Sequence, residues 1–112
     1  MALRRFRGGI ALFLILLAAG IARAQVSGQI RGTVIDEEGK GLAGVKIEAF
    51  EPSAGKRAGV SDKEGRFRFV ALRPGTYKVT FTLDSHADVQ KNATVRLDGT
   101  ATVNAKMFRI PG

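Results

Sequence analysis

The segment spanning residues 61–79 constrains the fold of this chain more than any other part of the sequence. Near its middle, charged and apolar residues alternate. Because successive side chains of a strand point to opposite faces, a strand here buries Phe67 and Phe69 on one side. Its other side exposes Arg66 and Arg68. The pattern predicts a β-strand with one face on a core and one face in water.

Turn-forming residues precede and follow this strand. Residues 62–65 predict a polar turn in which Gly65 takes a positive φ. After the strand, Pro74 has the fixed φ that suits the second position of a type II turn, and Gly75 suits the positive φ of the third position. Tyr77 and the alternate apolar residues that follow it predict a second strand with a strongly apolar face.

Short alternating segments recur along the chain, separated by glycine-rich or acidic turns. The segment 56–60 is weak and suits only a sheet edge. Asp98-Gly99 matches a type I′ hairpin turn and is expected to join the sixth and seventh strands. Seven strands and no helix after the first stretch predict an all-β, two-sheet sandwich. Besides the two strands above, we expect strands at residues 29–35, 45–50, 56–60, 89–97 and 100–107.

The first 24 residues predict a helical secretory signal peptide. An arginine-rich start precedes an apolar run at residues 10–19, and Ala22 and Ala24 lie beside a cleavable bond. The run is much shorter than the about 20 residues that span a bilayer. Cleavage after Ala24 would leave residues 25–112 as one β-sandwich domain. We therefore expect a periplasmic or secreted protein without a membrane span.

Charge and cysteine content bound the partners and the source of stability. The formal net charge of +8 includes four arginines of the predicted signal peptide, so the mature domain carries about +4 (8 − 4). This excess is too small to favour nucleic acid as the partner. The chain has no cysteine, which excludes a disulfide framework and a lipid anchor on cysteine. Packing must therefore stabilise the domain.

Two motifs resemble the carboxypeptidase regulatory-like domain: GTVIDEEGKGLAGVKI at residues 32–47 and SDKEGRFRFVALRPGTYKV at residues 61–79. The resemblance implies a transthyretin-like (prealbumin-like), Greek-key β-sandwich. It also implies a non-catalytic accessory module, as in metallocarboxypeptidases, outer-membrane receptors and adhesins. Family members often continue past the tyrosine strand into a glycine-aromatic pair, where this chain has Leu83-Asp84-Ser85-His86. Turn geometry and core packing account for the most diagnostic residues, which are Gly65, Phe67, Phe69, Pro74, Gly75 and Tyr77.

Three related folds match the sequence less well. The LRPGTY segment also resembles the tyrosine corner of fibronectin type III domains, but these usually have a core tryptophan, which this chain lacks. Cna B-type adhesin repeats often contain a lysine–asparagine isopeptide bond. Here Arg31 stands where that lysine would be, which leaves Asn104 without its partner. Transthyretin-like hydrolases of 5-hydroxyisourate end in Tyr-Arg-Gly-Ser, whereas this chain ends in Ile-Pro-Gly.

The sequence contains no pattern that indicates catalysis, a cofactor or a metal. The single histidine, His86, follows Ser85 in a polar loop, where such residues are common. The acidic turns offer oxygen ligands to calcium, but their spacing is not that of an EF-hand, and turn carboxylates usually bond to their own backbone. We therefore expect no enzyme, no cofactor and no metal site. The acidic residues concerned are Asp36, Glu37, Glu38, Asp62 and Glu64.

An exposed face is the remaining place for a function. We expect Arg66, Arg68 and Lys78 to lie together on the outward face of the central strands, beside Thr80 and Thr82. Such a face would bind an anionic partner through charge-assisted hydrogen bonds, although an ordinary hydrated sheet face has the same pattern.

The apolar residues Phe50 and Phe108 are out of phase with their strands. They form either an exposed patch for a partner or contacts under loops.

The sequence as a whole leaves two function classes: a module that binds another exported or envelope protein, and a carbohydrate-binding β-sandwich. The absence of tryptophan favours the first class.

Overall fold

The computed structural model describes residues 27–111, which form only strands, turns and loops. The predicted signal peptide and its cleavage site lie outside the described residues. Within residues 27–111, no helix is long and apolar enough to cross a membrane. The strands are β1 (Gly28–Ile35), β2 (Lys46–Glu51), β3 (Gly55–Val60), β4 (Arg66–Leu72), β5 (Gly75–Thr82), β6 (Val89–Val95), β7 (Thr100–Thr102) and β8 (Ala105–Lys106).

The strands form two sheets that pack face to face. Sheet I has the order β4-β1-β7, and β8 pairs with β1 beyond the end of β7. In this sheet, β1 pairs antiparallel with β4 and parallel with β7 and β8. Sheet II is antiparallel, with the order β3-β2-β5-β6. The predicted all-β sandwich is confirmed, and β3 occupies a sheet edge as expected.

Alternate apolar residues of both sheets build the core between them. Phe67 of sheet I packs on Phe81 of sheet II with ring centroids 5.5 Å apart and an interplanar angle of 73°, the edge-to-face geometry that aromatic rings favour. Phe67, Phe69 and Tyr77 are buried, as predicted from their alternation. Other core side chains come from β1, β2, β5 and β6 and from the residues that follow β7 and β8, including Ile30, Val34, Ile47, Val79, Val95, Val103 and Met107.

The connection from β4 to β5 is not the type II turn predicted from Pro74 and Gly75. Gly75 has a φ of +157°, far from the value near +80° that this turn requires. The carbonyl of Arg73, which would accept the closing backbone bond of such a turn, instead accepts a hydrogen bond from the Tyr77 hydroxyl at 2.7 Å. The side-chain bond replaces the backbone bond, and the chain crosses from sheet I to sheet II within two residues.

The Asp98-Gly99 segment does not form the predicted type I′ hairpin. Gly99 N–H bonds to the Arg96 carbonyl at 3.0 Å, so Leu97 and Asp98 are the central residues, and of the two predicted positions only Asp98 has a positive φ, +54°. The strands on either side belong to different sheets, because β6 pairs with β5 whereas β7 pairs with β1. The turn is therefore a crossover between the layers.

The predicted last strand, residues 100–107, is divided into β7 and β8, which gives eight strands where seven were expected. Gly32 of β1 lies so close to the intervening residues that a Cβ there would be 1.6 Å from the Val103 carbonyl oxygen. Next to it, the Asn104 side chain accepts the Thr33 N–H at 3.1 Å. A side chain thus takes one bond of the ladder, and regular pairing stops there.

Candidate binding face on sheet I

The three basic residues predicted to share one face lie on opposite sides of the molecule. Arg66 and Arg68 are exposed on the outer face of sheet I, because they belong to β4. Lys78 is exposed on the outer face of sheet II, because it belongs to β5. Thr80 and Thr82 are also in β5. The prediction of a single basic face was wrong, since it assumed that the two consecutive strands are neighbours in one sheet.

Arg31 of β1 is the third arginine on the outer face of sheet I. Its direct cross-strand partner is Arg68, and Thr33, two residues further along β1, lies opposite Arg66. All three arginines are exposed. We call the surface formed by Arg31, Arg66 and Arg68 the arginine face.

Arg31 and Arg68 are held in the closer of the two kinds of antiparallel pairing. The Arg31 carbonyl accepts a bond from Val103 N–H at 2.9 Å, so the backbone polar groups of Arg31 point away from β4. Such a non-hydrogen-bonded pair has Cα atoms only about 4.5 Å apart, with the side chains close together. Like charges directly opposite each other destabilise a sheet. The fold therefore carries an electrostatic cost at this position.

An open groove of about 740 Å³ runs over the arginine face. Thr33, Thr102 and Asn104 supply hydroxyl and amide groups along it. Its lining includes one carboxylate, Asp62, whose Oδ1 already accepts the N–H groups of Glu64 and Arg66 at 3.0 and 2.8 Å. The groove is thus a polar surface with an excess of positive charge.

Ion pairing distinguishes the two outer faces. On sheet II, Glu48 lies 3.0 Å from the Lys46 ammonium and 3.7 Å from that of Lys56. The hydrogen bond from Lys46, followed by the charge of Lys56, holds the pKa of Glu48 below its ordinary value. By contrast, none of the ion pairs between described residues involves an arginine of the arginine face. Among the described residues, these three arginines have no ion-pair partner, although the Asp62 carboxylate lies in the same groove.

Arg31 and Asn104 have no isopeptide geometry. Both side chains are exposed on the outer face of sheet I, and the Asn104 oxygen is bonded to Thr33 N–H. An arginine has no primary amine to form such a bond. The two residues instead belong to the same polar groove.

In the loop with the single histidine, His86 and Ser85 form hydrogen bonds with backbone groups. His86 Nδ1 lies 2.9 Å from the Asp84 carbonyl, and His86 forms a backbone bridge to Arg109. The Ser85 carbonyl accepts Ile110 N–H at 2.9 Å. No hydrogen bond within residues 27–111 joins the Ser85 hydroxyl to His86, so no nucleophile–base pair is formed in this part of the chain.

The acidic turns use their carboxylates to hold the backbone. Asp36 accepts the N–H groups of Glu38 and Lys40 at 2.8 and 2.9 Å, and the bond from Lys40 lowers its pKa. Glu37 accepts Arg109 N–H at 2.8 Å. In the described part of the chain, no three His, Cys, Asp or Glu side chains are grouped as metal ligands.

The two out-of-phase phenylalanines are both exposed, Phe50 to 46% and Phe108 to 52%. Phe50 lies in β2, opposite Lys78 and Lys56, whereas Phe108 follows β8 and lies under the Lys106 ammonium at 5.6 Å. Phe50 belongs to sheet II, whereas Phe108 lies outside the strands, after β8, so the two rings are not neighbours on one strand face.

A comparison with protein-family models identifies the sandwich. The model of the carboxypeptidase regulatory-like domain matches residues 29–108, which include every strand except the first residue of β1. The chain belongs to this family. No match was found among curated protein sequences.

Solved structures with the same fold include two from Gram-positive bacteria. The Bacillus anthracis TIE protein is 18% identical with a TM-score of 0.66, over 75% of this chain and 17% of its own. The minor pilin GBS52 of Streptococcus agalactiae is 19% identical with a TM-score of 0.65, over 80% of this chain and 47% of its own. This carboxypeptidase regulatory-like domain thus spans less than half the length of either protein.

An enzyme shares the fold as well. Catechol 1,2-dioxygenase from Pseudomonas arvilla C-1 is 11% identical with a TM-score of 0.63, over 78% of this chain and 54% of its own. At this identity the likeness concerns the sandwich alone. The match to the regulatory family model is consistent with a non-catalytic module.

Sequence reasoning on this carboxypeptidase regulatory-like domain missed Arg31 as a member of the site. Its phase was readable, because Arg31 alternates with the buried Ile30 and so points outward. What the sequence did not contain was the pairing of β1 with β4, which joins residues about 37 positions apart (68 − 31). The threonine and asparagine groups of β1 and the last strands were missed for the same reason.

Proposed function

We propose that this chain is an exported, non-catalytic interaction module that binds an anionic partner through its arginine face. The observation that carries the proposal is the direct opposition of Arg31 and Arg68, with Arg66 two residues along the same strand and no carboxylate paired with them among the described residues. An anion placed between the guanidinium groups removes the repulsion and forms charge-assisted, bidentate hydrogen bonds. Export rests on the arginine-rich, apolar N-terminal sequence.

Export is tested by expressing the full chain in a bacterial host and determining the mass of the product in the periplasm and medium. We expect a product that begins at Gln25. Retention of the uncleaved chain in the cytoplasm would contradict export without affecting the binding proposal.

Binding is tested with two fluorescent polyanions, polyglutamate and a polyuronate, against the purified protein. We expect binding that weakens as salt is raised and that Arg68→Glu abolishes. Lys78→Glu is the matched control, because it makes the same charge change on the opposite outer face. Equal losses in both variants, or no binding by the unchanged protein, would contradict a role for the arginine face.

The polyuronate also tests the alternative function, recognition of a surface glycan. The only tyrosine, Tyr77, is fully buried and bonded to Arg73, and the chain has no tryptophan. Among the described residues, Phe67 is the one aromatic residue that lines the groove, and it is buried in the core, so it offers little flat surface to a sugar ring. This lack of an exposed aromatic surface supports a protein partner better than a glycan.

A further inference from the structure

We infer that the ligand of the arginine face is an extended acidic segment of a partner protein, with carboxylates on alternate residues. This inference rests on the proposed function and names the partner class for the same site. Four features of sheet I carry it: the spacing of two arginines, the position of the third, the polar groups beside them and the blocked edge of β4.

The spacing of Arg66 and Arg68 fits alternate residues of an extended chain. The two arginines are separated by one residue on β4, so their Cα atoms are about 6.7 Å apart along the strand. In an extended partner segment, side chains on one face repeat at the same distance. Carboxylates at alternate positions therefore meet one guanidinium each, whereas neighbouring carboxylates point to opposite faces and only one of them meets the sheet.

Arg31 makes one of these two positions stronger than the other. It lies directly opposite Arg68, whereas the residue opposite Arg66 is Thr33. A carboxylate above the Arg31–Arg68 pair accepts hydrogen bonds from two guanidinium groups and screens their mutual repulsion. A carboxylate above Arg66 meets one guanidinium and the Thr33 hydroxyl. We expect the Arg31–Arg68 position to dominate affinity.

The remaining groups of the groove suit the polar backbone of such a segment. Thr102 lies beside Arg31 in the parallel pairing of β7 with β1, and Asn104 follows it. Hydroxyl groups both donate and accept, and an amide does the same with separate atoms. These side chains can therefore satisfy the N–H and C=O groups of an extended chain lying over sheet I.

The edge of β4 is blocked against strand addition, which places the partner on the face of the sheet. Asp62 occupies both backbone groups of Arg66, with N–H and C=O bonds of 2.8 and 2.9 Å. The guanidinium of Arg57 donates to the Val70 carbonyl at 3.0 Å. Because alternate residues of a strand share one edge, only Arg68 between them offers edge groups. Side-chain recognition across the face is the remaining mode.

The test compares two labelled peptides of identical composition by fluorescence anisotropy with the purified protein. Each peptide has two glutamates among threonines: in the alternating peptide one threonine separates the glutamates, and in the other peptide the two glutamates are adjacent, so that only one of them can face the sheet. We expect the alternating peptide to bind on the order of tenfold more tightly. Arg68→Glu should abolish that preference, Arg31→Glu should do the same, and Lys78→Glu should preserve it.

Arg68→Lys separates charge from shape. It keeps the positive charge but loses the planar fork, so we expect the preference for the alternating peptide to shrink while salt-dependent binding remains. Circular dichroism and thermal unfolding of each variant establish that it is folded. Arg31 and Arg68 are exposed, so we expect these variants to fold. If one of Arg68→Glu, Arg31→Glu and Arg68→Lys does not fold, the other two still test the inference.

The outcomes separate this inference from the proposed function. Equal binding of both peptides through the arginine face would overturn the alternating segment and leave the anion-binding module intact. Binding of the polyuronate alone would also overturn it, in favour of a glycan. Failure of every polyanion to bind would overturn both.

Discussion

At the scale of single residues, one pair of arginines is expected to lower the stability of the sandwich. Arg31 and Arg68 form a close, like-charged pair in the middle of sheet I, although the sheet would gain from opposite charges there. Natural proteins often break one of the local rules of stability at a functional site. Stability and binding should therefore respond in opposite directions to the same substitution.

Arg68→Glu should make the fold more stable while it removes binding. The change converts a repulsive cross-strand pair into an attractive one, and we expect the free energy of unfolding to rise by about 0.5 kcal/mol. Chemical denaturation at low salt measures the change. Lys78→Glu is the control, since Lys78 faces Phe50 and Asn92 across its strands. A loss of stability in Arg68→Glu as large as in the control would refute the repulsion.

Tyr77→Phe should destabilise the fold by about 1 kcal/mol, because it removes the hydroxyl bond to the Arg73 carbonyl. Burial raises the pKa of Tyr77 above its ordinary value. The folded state thus favours the neutral phenol, so its contribution is complete below about pH 10 and is lost as pH rises through the folded pKa. Denaturation curves at pH 8 to 11, measured for both proteins, should converge at the alkaline end. A difference in unfolding free energy that stays constant from pH 8 to 11 would show that ionisation of Tyr77 does not affect the stability of the fold.

At the scale of elements, two turns of the same design organise one end of the sandwich. In each, an aspartate, Asp36 or Asp62, accepts the N–H groups of the second and fourth residues after it. The glycine at the third residue, Gly39 or Gly65, has a φ of +87° or +80°. The sequence predicted both turns, because D-x-E-G is a local signal. It did not predict their different surroundings.

Changing the two turn glycines to alanine should lower the unfolding free energy by very different amounts. Gly39 has open space where a Cβ would lie, whereas a Cβ on Gly65 would be 2.2 Å from the Val34 carbonyl oxygen. Gly39→Ala should cost about 1 kcal/mol of unfolding free energy for the left-handed backbone alone. Gly65→Ala adds a clash with backbone, for a total on the order of 3 kcal/mol or more. Urea denaturation of the two variants measures the contrast. Equal costs would show that the turns do not pack as described.

At the scale of the whole molecule, local patterns predicted the strands and the buried side chains but not how the strands are arranged. Phe67, Phe69 and Tyr77 were identified from alternation, which depends only on neighbouring residues. The Arg31–Arg68 pairing depends on contacts far apart in sequence. Placing β4 and β5 in different sheets put Arg68 and Lys78 on opposite sides, and therefore changed the predicted binding face more than any residue identity did.

The parallel pairing of the first strand with the last ones also determines when the domain can fold. β1 is the inner strand of sheet I, and the side away from β4 is completed by β7 and β8, about 71 positions later (100 − 29). Contacts this distant carry a high loop-closure cost and slow the folding of β-proteins. All four strands of sheet II are available once the chain has reached Val95, but β1 stays half paired until residues 100–106 are available. The surface that presents the three arginines is thus among the last parts of the molecule to form.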